Sequence, residues 1–518
     1  MSFTALLGAI ALVAILFVSS RKYHLPPGPT GNVAGEFTNA PMYEIFDKWR
    51  RKYGRIFSFK LGTRRVVVLN NIKATTDLLD KKGDIYSSRP RLVVAHDILS
   101  GGKRGLSSPY GDHWRRWRKL QHMGMNGKIA LSYREQQTLE STLLLHELLT
   151  DSSEHQKVLQ RFVTSIVLGI AYGRRIDSLN DEMVTYNYNA VLEYQRASTP
   201  GKYIVETWPS LLWLPRPLQW FRPALAALEK IREKDTEVYM NFLNGAKERY
   251  EAGIAKDSMA TYSLSKGGNQ GMTDVEVAYA LSAPFSAGVD TTLSTIGWSL
   301  VAALSFPDTA TRIQSELDSV VGKDRLPTFE DERSLPYLTA FIKEWQLRAP
   351  KTKRWRPVVP LAIPHATSKD DVYDGYDIPK GTTVYGSVDA LVKDPELFED
   401  PETFNPSRFL SPHKPAGNWN GKVEGEFTMP FGFGRRVCPG MHVALQSTFI
   451  SIARILWAFD LSPPEGGSLP DYRKAQSLGK TRLPPPYQIC VRPRHAEVER
   501  IIAAESAEAK IRLKEWEY

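Results

Sequence analysis

The stretch that most constrains the fold is a glycine-rich loop with one cysteine, running from Phe431 to Gly440 (FGFGRRVCPG). An apolar run with helical character, Met441 to Phe459, follows it at once. Pro439 suits the first position of that helix, which predicts that the Cys438 sulfur lies at a helix N-terminus. The helix dipole and the free backbone N–H groups there favour an anion, in this case a thiolate.

The remaining residues of the loop suit a flat and bulky cofactor. Gly434 and Gly440 allow the backbone to approach such a group closely, and Arg436 offers a planar fork for carboxylates. Together with a thiolate, this pattern predicts an axial sulfur ligand to a haem iron. The plain alternative is a buried structural cysteine in a tight turn. A nucleotide-binding loop is excluded, because Val437 occupies the third glycine position of G-x-G-x-x-G.

The loop resembles the haem-binding loop of the cytochrome P-450 family, F-x-x-G-x-R-x-C-x-G. Phe431, Gly434, Arg436, Cys438 and Gly440 fill every fixed position of that pattern. The resemblance implies a mainly α fold with a small β-rich portion, haem b as the cofactor and Cys438 as the ligand of its iron. It also implies a monooxygenase, which inserts one oxygen atom from O2 into an apolar small molecule while the other atom leaves as water.

Length and composition agree with a large globular domain. The chain has 518 residues, of which 42% are hydrophobic, so it can bury a sizeable core and a cofactor. Two cysteines, Cys438 and Cys490, exclude a disulfide scaffold and indicate a reducing compartment. A formal net charge of +10 fits an anionic membrane surface or an acidic protein partner. Nucleic acid is not expected as a partner, because no zinc-finger or RNA-binding motif is present.

The N-terminus is organised as a membrane anchor. Residues 3–18 are apolar and uncharged, no charge precedes them, and Arg21 and Lys22 follow. This order predicts one uncleaved transmembrane helix with the rest of the chain in the cytosol, at the endoplasmic reticulum; an uncleaved signal sequence is the minor alternative. We therefore divide the chain into an anchor (1–20), a basic and proline-rich hinge (21–36) and a haem-binding monooxygenase domain (37–518).

A long helix is predicted to begin at the capping box Thr273-Asp-Val-Glu276 and to continue to about Ser305. Pro284 lies inside it and removes the hydrogen bond to the carbonyl of Ala280. Further along, the helix contains the sequence AGVDTT, residues 287–292. This matches the family's A-G-x-D-T-T, in which Asp290 and Thr291 would manage the protons that O–O cleavage consumes. Ala287 and Gly288 would leave room for oxygen and substrate.

Other segments resemble family elements that contact the haem carboxylates. Trp114 and Arg118 are four residues apart on a predicted helix and match the family's W-x-x-x-R. His365 lies where the family places another carboxylate partner. The resemblance implies that these three residues, with Arg436, hold the propionates. Their plain alternatives are a solvated basic surface for the first pair and a surface strand for His365.

One family motif, E-x-x-R, is interrupted in this sequence. Glu344 fills its first position, but the arginine that precedes the family's continuation is Arg354, separated from Glu344 by nine residues. Arg348, at i+4, is the other candidate partner. Arg408 would complete this structural ion-pair set. The extra segment, residues 345–351, leaves open whether the insert is genuine and tolerated.

A tryptophan-rich segment between Pro200 and Pro223 is too apolar for an ordinary surface loop and too rich in proline for a regular core helix. In the family this position roofs the substrate pocket and often touches the bilayer, and packing inside the fold is the alternative.

The sequence contains no complete nucleotide-binding motif for NADPH or a flavin, so electrons are expected from a separate NADPH–cytochrome P-450 reductase. The amino-acid sequence of residues 354–366 resembles that of fungal family members that act in secondary metabolism. Two alternatives stay open. A haem-thiolate isomerase or dehydratase would have no use for Asp290 and Thr291. A haem-binding protein that the insert has left catalytically impaired is the other.

Overall fold

The computed structural model describes residues 23–31, 33–38, 40–178, 180–199, 201–345, 357–394, 403–410, 429–478 and 480–516. The predicted anchor, Arg348, Arg354 and the insert beyond Trp345 lie outside these ranges. Within the described ranges, no helix combines the length and the apolar character needed to cross a membrane.

Helices dominate the described chain, as predicted. They are α1 (Met42–Tyr53), α2 (Ile72–Thr75), α3 (Gly83–Tyr86), α4 (Asp112–Met125), α5 (Arg134–Thr150), α6 (His155–Tyr172), α7 (Glu182–Ala197), α8 (Ile204–Thr207), α9 (Arg222–Glu251), α10 (Met259–Leu264), α11 (Asp274–Ser305), α12 (Pro307–Val320), α13 (Pro336–Trp345), α14 (Val388–Val392), α15 (Met441–Ala458) and α16 (Glu497–Leu513).

The strands form one four-stranded sheet and three two-stranded ribbons. The main sheet has the order β1-β2-β6-β3, in which β2 and β6 are parallel and the other neighbours are antiparallel. The ribbons pair β4 with β5, β7 with β10 and β8 with β9. The strands are β1 (Ile56–Leu61), β2 (Arg64–Leu69), β3 (His365–Ala366), β4 (Asp371–Tyr373), β5 (Tyr376–Ile378), β6 (Thr383–Gly386), β7 (Phe459–Ser462), β8 (Gln476–Leu478), β9 (Thr481–Leu483) and β10 (Cys490–Pro493).

Strand β2 shows how the small sheet joins the helical body. Its side chains alternate between faces, so Val66 and Val68 pack with the aromatic residues of β1 and α1, whereas Val67 and Leu69 pack on the opposite side. Both faces are therefore buried, which explains why this strand reads as a continuous apolar run.

Helix α11 runs through the largest hydrophobic cluster, where it packs most extensively against α6. The predicted capping box is present: the Thr273 N–H donates to Glu276 Oε2 (2.8 Å) and the Glu276 N–H donates to Thr273 Oγ1 (3.3 Å). The helix ends at Ser305, and Pro307 opens α12. The predicted length of this element is confirmed.

Candidate active site

A cavity of about 330 Å³ lies between α4, α6, α11 and the cysteine loop. Its lining contains most of the catalytic and haem-binding residues that the sequence predicts. Of these residues, Asp290 and Gly434 do not line the cavity. The predicted residues that do line the cavity are Trp114, Arg118, Ala287, Gly288, Thr291, His365, Phe431, Arg436, Cys438 and Gly440.

The cysteine loop closes on itself immediately before the long helix α15. The Cys438 N–H donates to the Phe431 carbonyl (2.7 Å), and residues 438–440 form a turn. Helix α15 begins at Met441 with Gly440 as its N-cap. The prediction that Pro439 occupies the first helical position is therefore wrong, because the turn that presents the sulfur uses that residue.

Burial raises the pKa of the Cys438 thiol, while the Gly440 N–H and the charge of Arg118 act in the opposite direction. The balance differs from the expectation that the helix start alone favours a thiolate. Desolvation of the charged form outweighs the helix contribution in the chain by itself. Coordination to a metal deprotonates a thiol outright, so the thiolate belongs to the haem-bound protein.

Gly434 serves the protein backbone rather than the cavity. Its φ is +54°, and a Cβ at this position would lie 2.1 Å from the Leu79 carbonyl oxygen. The Gly434 N–H also donates to the Asp80 carboxylate. The close approach that sequence reasoning assigned to a cofactor is thus an approach to the segment around Leu79, which fixes the start of the loop.

Arg436 is buried and donates only to backbone carbonyls. Its Nε donates to the Ser87 carbonyl (2.7 Å) and its Nη2 to the Ser108 carbonyl (2.8 Å). The Trp114 ring lies against the guanidinium, 4.2 Å from its central carbon. Burial, followed by the charges of Arg89 and Arg118, lowers the pKa of Arg436 to about 8. Within the described ranges, the Arg436 side chain is held in place without an anionic partner.

Arg118 connects α4 to the cysteine loop. Its Nη1 donates to the Val437 carbonyl (2.5 Å), next to Cys438. Burial lowers the pKa of Arg118, and Cys438 acts in the opposite direction. Trp114 and Arg118 both line the cavity, so the predicted shared face is confirmed.

Arg89 belongs to the same cluster and was missed by the sequence analysis. Its Nη1 donates to the Ile363 and Pro364 carbonyls (2.7 and 2.8 Å), and its Nε donates to the Leu106 carbonyl (3.2 Å). Burial lowers the pKa of Arg89 to about 9. The only hint in the sequence is an arginine before Pro90, which carries no motif of its own.

His365 completes the cluster at strand β3. Its Nδ1 donates to the Tyr86 carbonyl (2.7 Å), since a carbonyl can only accept. Burial, with the charges of Arg89 and Arg436, places the pKa of His365 well below its ordinary value. The predicted location beside Arg436 is confirmed, and the surface-strand alternative is wrong because the residue is 2% exposed.

These four basic side chains provide the test of whether a haem fits. All four line one cavity, and among the described residues no carboxylate pairs with any of them. Buried cations are normally paired, so the cluster is short of negative charge. The two carboxylates of a haem supply that charge, and the same cavity presents Cys438 as the sulfur ligand. The residues present therefore fit haem b.

The distal wall is the middle of α11, where Pro284 interrupts the hydrogen-bond ladder. A proline cannot donate to the carbonyl four residues earlier, that of Ala280. Gln121 on α4 takes over this bond, since its Nε2 donates to the Ala280 carbonyl (2.7 Å). Gln121 is fully buried and, like Pro284, lines the cavity. Its position three residues after Arg118 on one helix face was a signal that sequence reasoning could have used.

Asp290 and Thr291 follow nearly two turns after Pro284. The Thr291 hydroxyl donates to the Ala287 carbonyl (2.8 Å), which leaves its oxygen lone pairs available to accept from the cavity side. Asp290 Oδ2 is buried and has no hydrogen-bond partner in the described part of the chain. Burial raises the pKa of Asp290 to about 6. A carboxyl group near this value can exchange protons at neutral pH.

Gly288 allows α11 to pack closely on α6. A Cβ there would lie 3.0 Å from Val167 Cγ1, so even alanine would crowd the helix contact. Ala287 and Gly288 both line the cavity, as predicted. Small residues at these two positions keep the space above Cys438 open.

Of the predicted ion-pair set, the structure brings Glu344 and Arg408 together. Glu344 is fully buried and its Oε1 lies 3.4 Å from Arg408 Nε. The Asn405 N–H also donates to Glu344 Oε1 (3.0 Å). Arg348 and Arg354 lie outside the described residues, so the choice between them stays a prediction.

Comparison with known proteins agrees with this geometry. Residues 26–491 match the cytochrome P-450 family. A cytochrome P-450 monooxygenase of Armillaria gallica is 35% identical over 505 residues, covering 96% of this chain and 95% of the relative. The cytochrome P-450 monooxygenase drtD of Aspergillus calidoustus is 36% identical over 483 residues, covering 90% and 85%.

Solved structures show the same fold. A zebra fish cytochrome P-450 with progesterone has a TM-score of 0.71 at 27% identity, covering 88% of this chain and all of the other. The structure of a zebra fish cytochrome P-450 with abiraterone gives a TM-score of 0.68 at 26% identity and the same coverage. The chain belongs to the cytochrome P-450 family and is a haem b monooxygenase.

Proposed function

We propose that the chain inserts one oxygen atom from O2 into a mainly apolar small molecule, with electrons from an NADPH–cytochrome P-450 reductase. The observation that carries this proposal is that Cys438 and Thr291 line one cavity, while Oδ2 of Asp290, the residue before Thr291, is buried without a hydrogen-bond partner among the described residues. An isomerase or dehydratase built on the same sulfur would have no use for that acid.

The bound haem supplies the oxygen chemistry, and the chain holds and orients it. Cys438 would provide the sulfur ligand, and Arg89, Arg118 and Arg436 would provide the charge that the haem carboxylates need, with His365 beside them in the cavity lining. Since each of these four side chains is already fixed by a backbone carbonyl, little conformational freedom is lost on binding.

Asp290 and Thr291 are assigned to proton handling. A carboxyl with a pKa of about 6 can release a proton near neutral pH and take one back from solvent. The Thr291 hydroxyl donates to the Ala287 carbonyl, so its oxygen can accept a hydrogen bond from a proton donor at the cavity surface. We assign Asp290 as the proton source and Thr291, which lines the cavity, as the group that passes the proton on.

The proposed substrate class follows from the apolar part of the cavity lining. Helix α6 contributes Val163, Ile166, Val167 and Ile170 to the cavity lining. Apolar walls with a few fixed polar groups are typical of sites for small organic molecules. The sequence of residues 354–366 resembles fungal family members that act in secondary metabolism, and two of the relatives named above are fungal. We therefore assign the substrate to secondary metabolism.

The reductase is assigned to the cysteine side of the molecule. Arg118 touches the cysteine loop, and the exposed side of the same helix carries Arg115, Lys119 and His122. Arg435 in the loop is also exposed. A cationic surface next to the sulfur is complementary to an acidic electron-transfer protein and would speed its association.

The membrane is assigned to the N-terminal residues 3–18 and to the tryptophan-rich segment, with the catalytic domain in the cytosol at the endoplasmic reticulum. Trp208, Trp213 and Trp220 are 52%, 88% and 68% exposed. Tryptophan side chains are enriched at membrane interfaces, and exposed apolar groups of this size are unusual on a soluble surface.

The deciding experiment is the carbon monoxide difference spectrum of the reduced, full-length chain. We expect the red-shifted Soret band of a haem thiolate, and its loss in Cys438→Ala. Cys490→Ala is the matched control, because Cys490 is the other cysteine and is exposed on β10. A Cys438→Ala chain that keeps the band would overturn the assignment.

A second chain that lacks residues 345–351 tests the insert. If only the shortened chain gives the thiolate band, the insert impairs the protein, and the alternative of a catalytically impaired member holds. If both chains give it, NADPH consumption with added reductase and a panel of apolar molecules tests turnover. Reductase-dependent NADPH oxidation that yields no oxygenated product from any of them would contradict the monooxygenase reaction.

A further inference from the structure

Lys480 places an ammonium group close to the cavity. It directly precedes strand β9, at the turn of the β8–β9 ribbon. Its Nζ lies 5.8 Å from the centre of the Tyr194 ring, and Tyr194 lines the cavity. The neighbouring strand also reaches the cavity wall, because the Arg482 N–H donates to the carbonyl of Val358, another lining residue (2.7 Å).

The ammonium has no anionic partner in the described part of the chain. Glu206 is the nearest acidic influence on Lys480, but its carboxylate is already engaged. Arg64 Nη2 donates to Glu206 Oε1 (2.7 Å), and the Val94 N–H donates to Glu206 Oε2 (2.9 Å). The charge of Glu206 is therefore matched by Arg64 rather than by Lys480.

The other buried cations around the cavity are committed elsewhere. Arg89 belongs to the cluster that suits the haem carboxylates. Arg104 pairs with Asp235, since its Nη2 lies 3.2 Å from Asp235 Oδ2. Lys480 is thus a cation near the cavity that no carboxylate in the described part of the chain pairs with.

The environment of Lys480 is interior rather than surface. Burial is the largest influence on this side chain and, together with the charge of Arg89, lowers the pKa of Lys480 to about 8. The residue nevertheless keeps part of its surface accessible. Lys480 does not itself line the cavity, but its ammonium lies against the ring of Tyr194, which does.

We infer that Lys480 is a specificity-determining residue that binds a carboxylate carried by an otherwise apolar substrate. The inference rests on the proposed function and narrows its substrate class from apolar molecules to apolar carboxylic acids. The carboxylate would lie at the end of the cavity near Tyr194, so that the apolar part of the molecule extends towards Cys438 along the valine and isoleucine wall of α6.

The test compares dodecanoic acid with its methyl ester on the haem-loaded, full-length chain. Dissociation constants are measured by calorimetry and by the spin-state shift of the Soret band. We expect the acid to bind about tenfold more tightly than the ester, the size of one charge-assisted hydrogen bond. Lys480→Met should remove this preference, because it keeps the length of the side chain without its charge. Lys480→Arg should retain most of it.

Lys60→Met is the matched control, because Lys60 is an exposed lysine on β1 that does not line the cavity. The acid preference should also fall as the pH rises through about 8, since the ammonium then loses its proton. Equal binding of acid and ester to the unmodified chain, or a preference that survives Lys480→Met, would overturn the inference.

Failure of the proposed function gives a different result. A missing thiolate band in the carbon monoxide spectrum removes the monooxygenase assignment, whereas the acid preference is still read by calorimetry. A normal thiolate band without any acid preference removes only the role of Lys480.

Discussion

Two buried charged regions of this protein are built on opposite rules. Around Glu140 on α5 every charge meets an opposite one. Arg161 Nη1 and the Ser165 hydroxyl each donate to the Glu140 carboxylate (2.6 Å), and Arg175 Nε donates to it as well (3.0 Å). Arg161 and Glu140 are completely buried, and the two arginines hold the pKa of Glu140 below its ordinary value despite burial.

Around the cysteine loop the buried charges meet no opposite charge among the described residues. Arg89, Arg118 and Arg436 donate to backbone carbonyls, and Asp290 keeps one carboxyl oxygen without a partner among the described residues. Burial raises the pKa of Asp290 to about 6. The chain pairs its charges around Glu140, and we assign the charges around the cysteine loop, which have no such partners among the described residues, to the cofactor and to proton transfer. In this protein, buried charges with opposite partners stabilise the fold, whereas the buried charges of the candidate site lack such partners.

The largest effect should come from breaking the paired region. Arg161→Met leaves the carboxylate of Glu140 buried with half of its arginine partners, so we expect a loss of about 3–5 kcal/mol in the free energy of unfolding. Urea unfolding of the haem-free and haem-loaded chains measures it, and the loss should be the same in both. Arg500→Met, which breaks the exposed pair with Glu497, should cost less than about 1 kcal/mol. Similar losses in the two variants would contradict the comparison.

Asp290→Asn should lower the catalytic activity rather than the stability of the fold. The amide cannot deliver a proton, so turnover should fall about 100-fold or more while the thiolate band remains. Asp274→Asn, at the exposed first turn of the same helix, should leave turnover unchanged. A variant that loses the carbon monoxide band would show that Asp290 holds the fold rather than moves protons.

The same substitution should change the pH dependence of stability. Because the folded-state pKa of Asp290 is about 6 and its ordinary value is 3.8, the folded chain binds the proton more tightly. This contribution is complete below about pH 4 and is lost as the pH rises through about 6. Unfolding curves across that range should show the loss in the unmodified chain and not in Asp290→Asn.

Arg436→Met should separate cofactor binding from folding. The haem-free chain loses hydrogen bonds to carbonyls but is relieved of like-charge repulsion, so we expect a cost of about 1–2 kcal/mol there. Haem affinity should fall by a further tenfold or so, because one cationic partner of the carboxylates is gone. Haem transfer to apomyoglobin measures this. Arg435→Met, at the exposed neighbouring position, should leave haem affinity unchanged.

The smallest effect should be the coupling between Gln121 and Pro284. Gln121→Leu leaves the Ala280 carbonyl without its donor, which we expect to cost about 1 kcal/mol. In the Pro284→Ala background a backbone N–H can bond that carbonyl again, so the cost should largely disappear. A double-mutant cycle measured by urea unfolding gives the coupling free energy. A value of zero would mean that the two residues act independently.

Local patterns in the sequence were sufficient for several elements. The capping box of Thr273 and Glu276 marked the start of α11, because a cap depends on neighbours within a few positions. The family pattern around Cys438 placed most of the cavity-lining residues. The prediction that the helix begins at Pro439 was wrong, because the hydrogen bond from Cys438 to the Phe431 carbonyl closes the loop and the helix begins at Met441.

What the sequence by itself determined is the identity of the chemical groups: a thiolate ligand, an acid next to a hydroxyl, and a proline that deprives Ala280 of its donor. Only the tertiary structure decided which side chains contact these groups. Gln121 supplies the missing donor, and Arg89 joins the basic cluster from 274 residues before Ile363, whose carbonyl it binds. Lys480, from near the other end of the chain, lies against the ring of Tyr194, which lines the cavity. Partners distant in sequence leave no local pattern, because burial and proximity arise only when the chain has folded.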